Sequence, residues 1–512
     1  MPPRVPSLDE LARLADRHHL SLEPDDLREF QELMAGPLAS YARLDEISEP
    51  EPEPAYPRSP GRRPEPAENP YGAWSWKTDI RGAATGPLAG RRVVIKDNVC
   101  VAGVPMMNGT RALEDYVPDV DATVVTRILD AGGEIVGKSV CECLCFSGGS
   151  HTAYTGPTRN PHDPSRSSGG SSSGSAVLVA LGEADLAIGG DQGGSIRMPS
   201  SWTGICGHKP TWGLVPYTGV FPVEMTLDHV GPMARTVADL AVLLDVIAGP
   251  DGLDPRQQYD LRTAPYAAGL DHGVAGLRVG LVREGFDWPG LSEPDVDAAV
   301  RAAAERFTEL GATVREVSIP WHRDGVHLCL AIVMEGGESV MLGQHAMGSN
   351  WKGRYLPGLA EAFGQGVRKH ADDLSDTAKL LALTGTFMRE EYHGSYYGRA
   401  QNLSRSLRAA YDAALADLDV LVMPTQPLKA TEIPPADAPR GVQVARALEM
   451  IVNTCPMDVT GHPALSLPIG TSNGLPVGMM IVGRRWEDAE VLRAGHAWQT
   501  AFGADAAPLP PR

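Results

Sequence analysis

Long apolar runs are missing from this 512-residue sequence. No stretch approaches the roughly 20 apolar residues expected of a membrane-spanning helix, and the start, MPPRVPSLDE, lacks the apolar core of a signal peptide. A cytoplasmic protein with no membrane partner is the expectation. Paired cysteines are missing too: seven, an odd number scattered through a large chain, fit reduced thiols better than a disulfide framework. No basic run offsets the net charge of −19, and phosphate binding needs a basic surface, so nucleic acid is not an expected partner. None of the 14 histidines forms a close H-E-x-x-H pair. What remains is ordinary globular composition, 43% hydrophobic, in a chain long enough for one large α/β domain plus something smaller.

The most informative stretch runs from Ser167 to Arg197, SSGGSSSGSAVLVALGEADLAIGGDQGGSIR. Two Gly/Ser-rich loops bracket Ala176 to Leu181, read as a helix, and Asp185 to Gly189, read as a short buried strand. The first loop then sits at a helix N-terminus. The second follows the carboxyl end of a strand, where open α/β sheets place their ligand crevices. Ser171 and Ser195 are thereby brought near one another.

The rest of the chain is organised around this stretch. Ser7 and Glu10 form a capping box ahead of a first helix. A second helix from Pro24 is expected to stop at Gly36, with a third holding Leu38, Tyr41 and Leu44. Residues 1–47 thus read as an all-helical element whose hypothesised role is homodimer contact. Residues 48–70 follow as an extended spacer; Glu49 to Pro70 alone carries eight prolines. From 71 to 512 strand and helix alternate. A strand over Arg91 to Ile95 delivers Lys96, an amphipathic helix covers Asp121 to Ala131, and a strand covers Glu134 to Val136. Thr236 and Asp239 cap a helix to Ile247, and Leu277 to Val282, Pro294 to Leu310 and Thr313 to Val317 repeat the rhythm. Later strands are read over Asp419 to Thr425 and Gly478 to Val482. The fold class is therefore α/β, a large mixed, mostly parallel sheet with helices on both faces. Residues 321–401 read as a helical insertion that helps wall a pocket.

GGSSSGSA from Gly169 and GGDQGGSIRMP from Gly189 resemble the two halves of the amidase signature, and VVIKDNV from Val93 resembles that family's lysine segment. GVPMMNG, GHKPTWGLVPYTG and DVTGHPALSLPIG extend the resemblance toward bacterial enantioselective amidases associated with nitrile hydratases. The order Lys96, Ser171, Ser195 and the 24-residue separation of the serines match the family. The resemblance implies the amidase signature fold and hydrolysis of amide bonds through an acyl-enzyme on Ser195. Ser171 would relay the proton after a cis peptide, a bond that outside proline costs about 3 kcal/mol. Lys96 would be the base, held neutral, so that activity rises toward mildly alkaline pH. Backbone N–H groups at Gln192, Gly193 and Gly194 would hold the oxyanion. Phe146, Leu227 and Ile451 are the implied substrate walls, and Cys329 stands where some close relatives carry a bulky aromatic, which implies a larger acyl pocket. Asp191, Arg197 and Ser172 are expected to support the loops. Ser173 departs from the family's usual glycine, which tests whether that position needs positive φ. A small amide and water are the implied partners, with no metal and no organic cofactor.

Other patterns carry less. Gly132 to Ser139 fits a phosphate-binding loop, but Ile135 and Val136 read as strand. Gly170 to Gly174 fits a nucleophile elbow, yet no strand precedes it. Cys141, Cys143 and Cys145 alternate too closely for zinc and read as a strand edge with buried thiols. Anilides and carbamates would use the same attack as simple amides. A catalytically silent binding protein would be expected to have lost one of the three triad residues. The amidotransferase component that amidates misacylated tRNA shares the signature but works in a complex.

Overall fold

The computed structural model describes residues 3–49, 53–348 and 351–503. Parts of the segments read as helical element (1–2), spacer (50–52), helical insertion (349–350) and catalytic domain (504–512) lie outside these. The chain divides into two compact units, Met1–Glu53 and Pro54–Arg512.

In the smaller unit, α1 (Leu8–Arg17) starts with the expected capping box. Glu10 N–H donates to Ser7 Oγ at 3.2 Å and Ser7 N–H donates to Glu10 Oε2 at 2.7 Å. Helix α2 (Pro24–Glu46) is a single helix, not the two expected. Pro37 removes one N–H donor, but the Leu-, Ala- and Glu-rich sequence around it has strong helix propensity and carries the helix across.

The larger unit holds one eleven-stranded sheet. In chain order its strands are β1 (Trp74–Arg81), β2 (Arg92–Lys96), β3 (Glu134–Ser139), β4 (Leu186–Asp191), β5 (Cys206–Lys209), β6 (His229–Ala234), β7 (Arg278–Val282), β8 (Thr313–Val317), β9 (Val420–Pro424), β10 (Ala464–Ser472) and β11 (Leu475–Gly483). They lie in the order β1-β3-β2-β4-β6-β5-β10-β11-β9-β7-β8. The sheet is mixed but not mostly parallel: β2 runs parallel to β3 and β4, and β7 to β8 and β9, while the other neighbours are antiparallel. Helical crossovers such as α3 (Thr123–Asp130) between β2 and β3 impose the parallel pairs. The centre differs because β10 and β11 form a hairpin, closed by Asn473 and Gly474, both at positive φ.

Beside β4 lies α4 (Ser173–Ala180), every residue of which is buried. Complete burial of Val177, Leu178 and Val179 stabilises the fold by about 1.5–3 kcal/mol each. Gly174 is required here, because a Cβ would strike the Ala73 carbonyl oxygen. The short helix α5 (Arg197–Thr203) follows β4 and is buried throughout.

Three further expectations need correction. The spacer ends early: from residue 54 the proline-rich chain is laid along β1, with Trp76 Nε1 donating to the Pro60 carbonyl and Thr78 Oγ1 to the Ser59 carbonyl, both at 2.8 Å. The cysteine run is no strand edge; Cys143–Cys145 is a 3₁₀ turn with Leu144 and Cys145 at positive φ. One helical stretch, Trp321–Gly343, is long and apolar enough to cross a membrane, but 56% of its apolar window is buried within the protein, as in a core helix.

Candidate active site

Strands β2 and β4 are parallel neighbours, with Ile95 opposite Ile188, so their carboxyl ends emerge side by side. Lys96 is the last residue of β2, and the Ser195 loop leaves β4. Ser171 approaches from the loop before α4, after a cis Gly170–Ser171 peptide. Lys96 and Ser171 are fully buried and Ser195 is 5% exposed. Lys96 Nζ donates to Ser171 Oγ at 2.7 Å and to the Gly190 carbonyl at 3.3 Å. Ser172 clamps the two loops together. Its N–H donates to the Ser195 carbonyl at 3.2 Å, and its Oγ donates to the Gly190 carbonyl and accepts from Gly190 N–H. It makes no side-chain cap to α4. Ser173 is the first residue of α4 in ordinary helical geometry, so that position does not need positive φ.

The Ser195 loop is fixed by Asp191, which accepts from Gly194 N–H at 2.5 Å and Ile196 N–H at 3.1 Å. Asp191 also pairs with Arg197 through Nε and Nη2, each at 3.0 Å, and Arg197 reaches Asp458 at 2.8 Å. All three are fully buried. Burial opposes ionisation of Asp191, but Arg197 outweighs it and holds the carboxyl below its usual range. Burial and the Asp191 charge push Asp458 well up. Burial also lowers Lys209 to about 8, and its Nζ lies 3.1 Å from His229 Nε2.

The Gly194 amide is therefore occupied in this state, which departs from the three-amide expectation. Among the described residues the amides of Gln192, Gly193 and Ser195 make no hydrogen bond. Thr454 Oγ1 holds the intervening Gly193 carbonyl at 2.6 Å, and Gln192 Nε2 donates to Tyr217 Oη at 3.0 Å. A Cβ at Gly194, at φ 130°, would collide with Thr454.

Ser195 opens onto a small, largely apolar cavity. Phe146, Met198, Val223, Cys329, Val333 and Ile451 supply apolar wall. Phe146, Ile451 and Cys329 therefore lie on the cavity wall. Leu227 does not; it is completely buried, and its carbonyl is bonded to the His229 ring at 2.7 Å. Val333 comes from the π-helical stretch Val333–Gly343 that follows α8 (Trp321–Ile332). Sequence reading missed Thr454, Asp458 and Glu142. Asp458 opens the DVTGHP motif, a signal that was present; Glu142, between two cysteines, gave none. Its Oε2 accepts from His151 and Thr152 N–H groups, and its own N–H donates to the Ser171 carbonyl. No group of three or more His, Cys, Asp or Glu among the described residues is placed to hold a metal ion.

A profile of the Amidase family matches residues 71–492. The chain belongs to the amidase signature family and is an amide-bond hydrolase of that family. An enantioselective amidase of Rhodococcus rhodochrous is 48% identical over 510 residues, 99% of this chain and 97% of that one. A glutamyl-tRNA(Gln) amidotransferase subunit of Methanosarcina barkeri is 38% identical, over 83% of this chain and 86% of its own. Among solved structures, the peptide amidase of Stenotrophomonas maltophilia superimposes with a TM-score of 0.67 at 32% identity, covering 83% of this chain and 85% of that one. A bacterial aryl acylamidase gives 0.67 at 26% identity, covering 81% and 83%.

Proposed function

We propose that this protein hydrolyses small primary amides with apolar aliphatic or aromatic acyl groups through an acyl-enzyme on Ser195. The observation that carries the reading is the buried 2.7 Å hydrogen bond from Lys96 to Ser171, locked to the Ser195 loop by Ser172. Ser195 Oγ attacks the carbonyl carbon while its proton passes through Ser171 to Lys96. The open amides of Gln192, Gly193 and Ser195 receive the developing oxyanion. Collapse breaks the C–N bond, and the leaving amine takes the proton back through Ser171. Water then attacks the ester by the same relay in reverse. The apolar walls favour uncharged acyl groups, since a charge placed there would lose its hydration without gaining a partner.

Hydrolysis of propionamide, benzamide, a nitroanilide and an aryl carbamate by purified wild type and Ser195→Ala tests this, with ammonia or amine release followed from pH 6 to 10. Release by wild type alone, best with the first two, is expected. A second reading, anilide or carbamate cleavage by the same relay, draws support from the aryl acylamidase likeness and would be read from the ranking. Release only with added partner subunits would favour the amidotransferase reading.

We also propose that α2 is covered by a second copy of the chain in a cytoplasmic homodimer. No residue of α2 is buried, and Phe30, Leu33, Tyr41 and Leu44 are exposed apolar side chains on it. Leu33→Glu with Leu44→Glu in the full chain should shift the mass in solution from dimer to monomer, and an unchanged mass would overturn this.

A further inference from the structure

Two cysteines, Cys145 and Cys329, are among the residues that line the cavity beside Ser195. Their surroundings differ. Leu144 and Cys145 take φ of 52° and 58°, a region that non-glycine residues seldom adopt. The Cys145 sulfur lies 3.3 Å from Asn108 Oδ1, and Cys141 reaches the same oxygen at 3.4 Å. Asn108 is fully buried and its Nδ2 has no partner among the described residues. Burial opposes the Cys145 thiolate, but the Cys141 thiol, the Lys96 amine and the Ser171 hydroxyl outweigh it and hold the group at about 7. Cys141, under the same burial and beside Cys145, is pushed well up. Cys329 lies against Cys455 instead of an amine.

We propose that Cys145 is a covalent modification site for small α,β-unsaturated amides that enter the acyl cavity. The inference rests on the proposed seating of an amide carbonyl on the open amides of the Ser195 loop, but not on hydrolysis. A carbonyl seated there leaves the vinyl group in the apolar cavity, with Cys145 on its wall. The Cys145 sulfur bonds to the β-carbon, and the C=C π pair moves toward the α-carbon and carbonyl oxygen. The proton released by the thiol, carried by Lys96, ends on the α-carbon. Only the π bond is lost, nothing leaves, and no oxidant or reductant is needed.

The thiolate is the reacting form. A thiol held below its usual range is more thiolate at neutral pH than an ordinary one, and its somewhat weaker intrinsic nucleophilicity takes back only part of that gain.

The test is acrylamide labelling of the full-length Ser195→Ala protein at pH 7, with peptide mass mapping over time. One acrylamide should add to the Cys145 peptide before the Cys329 peptide, and excess propionamide should slow it. First labelling at Cys329, labelling of Cys145 no faster than of the other buried cysteines, or no slowing by propionamide would overturn the proposal. Because this variant lacks the attacking hydroxyl, failure of the hydrolysis reading in wild type and failure of the thiol reading register separately.

Discussion

Asp191 and Arg197 form a fully buried ion pair that joins the last residue of β4 to the first residue of α5, across the Ser195 loop. The pair acts through geometry: the same carboxylate also holds the Gly194 and Ile196 amides. Replacing Arg197 by Met leaves Asp191 without the guanidinium that pairs with it, and the more distant Lys209 as the remaining cation acting on it. Breaking a buried pair from one side costs about 3–5 kcal/mol. Denaturant unfolding of Arg197→Met should show a loss of that order, with kcat for propionamide falling further than KM changes. A variant as stable and active as wild type would remove the pair from the account of the loop.

Lys96 and Ser171 act as a unit if protons travel between them, and effects within such a unit do not add. Lys96→Ala and Ser171→Ala are each expected to lower kcat by about 10³-fold or more, with the double variant no worse than about threefold beyond the weaker single one. Multiplying losses would mean two independent roles. An unchanged rate in Lys96→Ala would sink the proposed base.

The parts of this site legible in the sequence were those carried by glycine and serine. Ser171 and Ser195 lie in loops whose composition already announces a turn beside a strand end, while Lys96 closes a strand, and the structure brings Lys96 and Ser171 into hydrogen-bond contact. Less legible was everything fixed by distant partners. Leu227 looked like a wall residue but is taken up by packing and by the His229 ring, while Val333 reaches the cavity only because a π-helical stretch follows α8. In the fold, β1, β5, β6 and β10 went unread. CGHK and HVGPMA lack β-branched alternation, and they are strands because the sheet on either side completes their hydrogen bonds. The same holds for Pro54 to Pro70, whose composition reads as a spacer and whose backbone carbonyls are bound by Trp76 and Thr78.

Asp228 gives the fold a pH dependence. Burial, reinforced by Glu224 and opposed by Arg256, pushes its carboxyl up to about 8. Between the unfolded value near 3.8 and the folded value near 8, the folded protein keeps a proton that the unfolded chain has released. Stability is therefore lost as pH rises through that window. Asn mimics the protonated acid and keeps an oxygen for the Val223 N–H, which bonds both carboxyl oxygens. Asp228→Asn should match wild type near pH 4 and exceed it at pH 7 by at least about 1 kcal/mol, since a tenfold difference in proton affinity between folded and unfolded chains already corresponds to about 1.4 kcal/mol. Equal unfolding midpoints at pH 7 would mean that the native site ionises freely.

Cys329 sits on the cavity wall together with Leu330, Phe146 and Ile451, where a small thiol leaves room that a ring would occupy. Cys329→Phe inserts that ring. Overpacking a buried position destabilises by about 1–3 kcal/mol, so the thermal midpoint must be read first, and the kinetics taken well below it. In the folded variant, benzamide should lose at least about tenfold in kcat/KM, because one methylene's worth of misfit already discriminates by about 10–200-fold. Propionamide, whose acyl group is shorter, should change by less than about threefold. Such a split would place Cys329 on the acyl side of the scissile bond. Parallel losses for the two amides would instead mean that the substitution disturbs the Ser195 loop, which is reached through Cys455 and Thr454, and not the space for the acyl group.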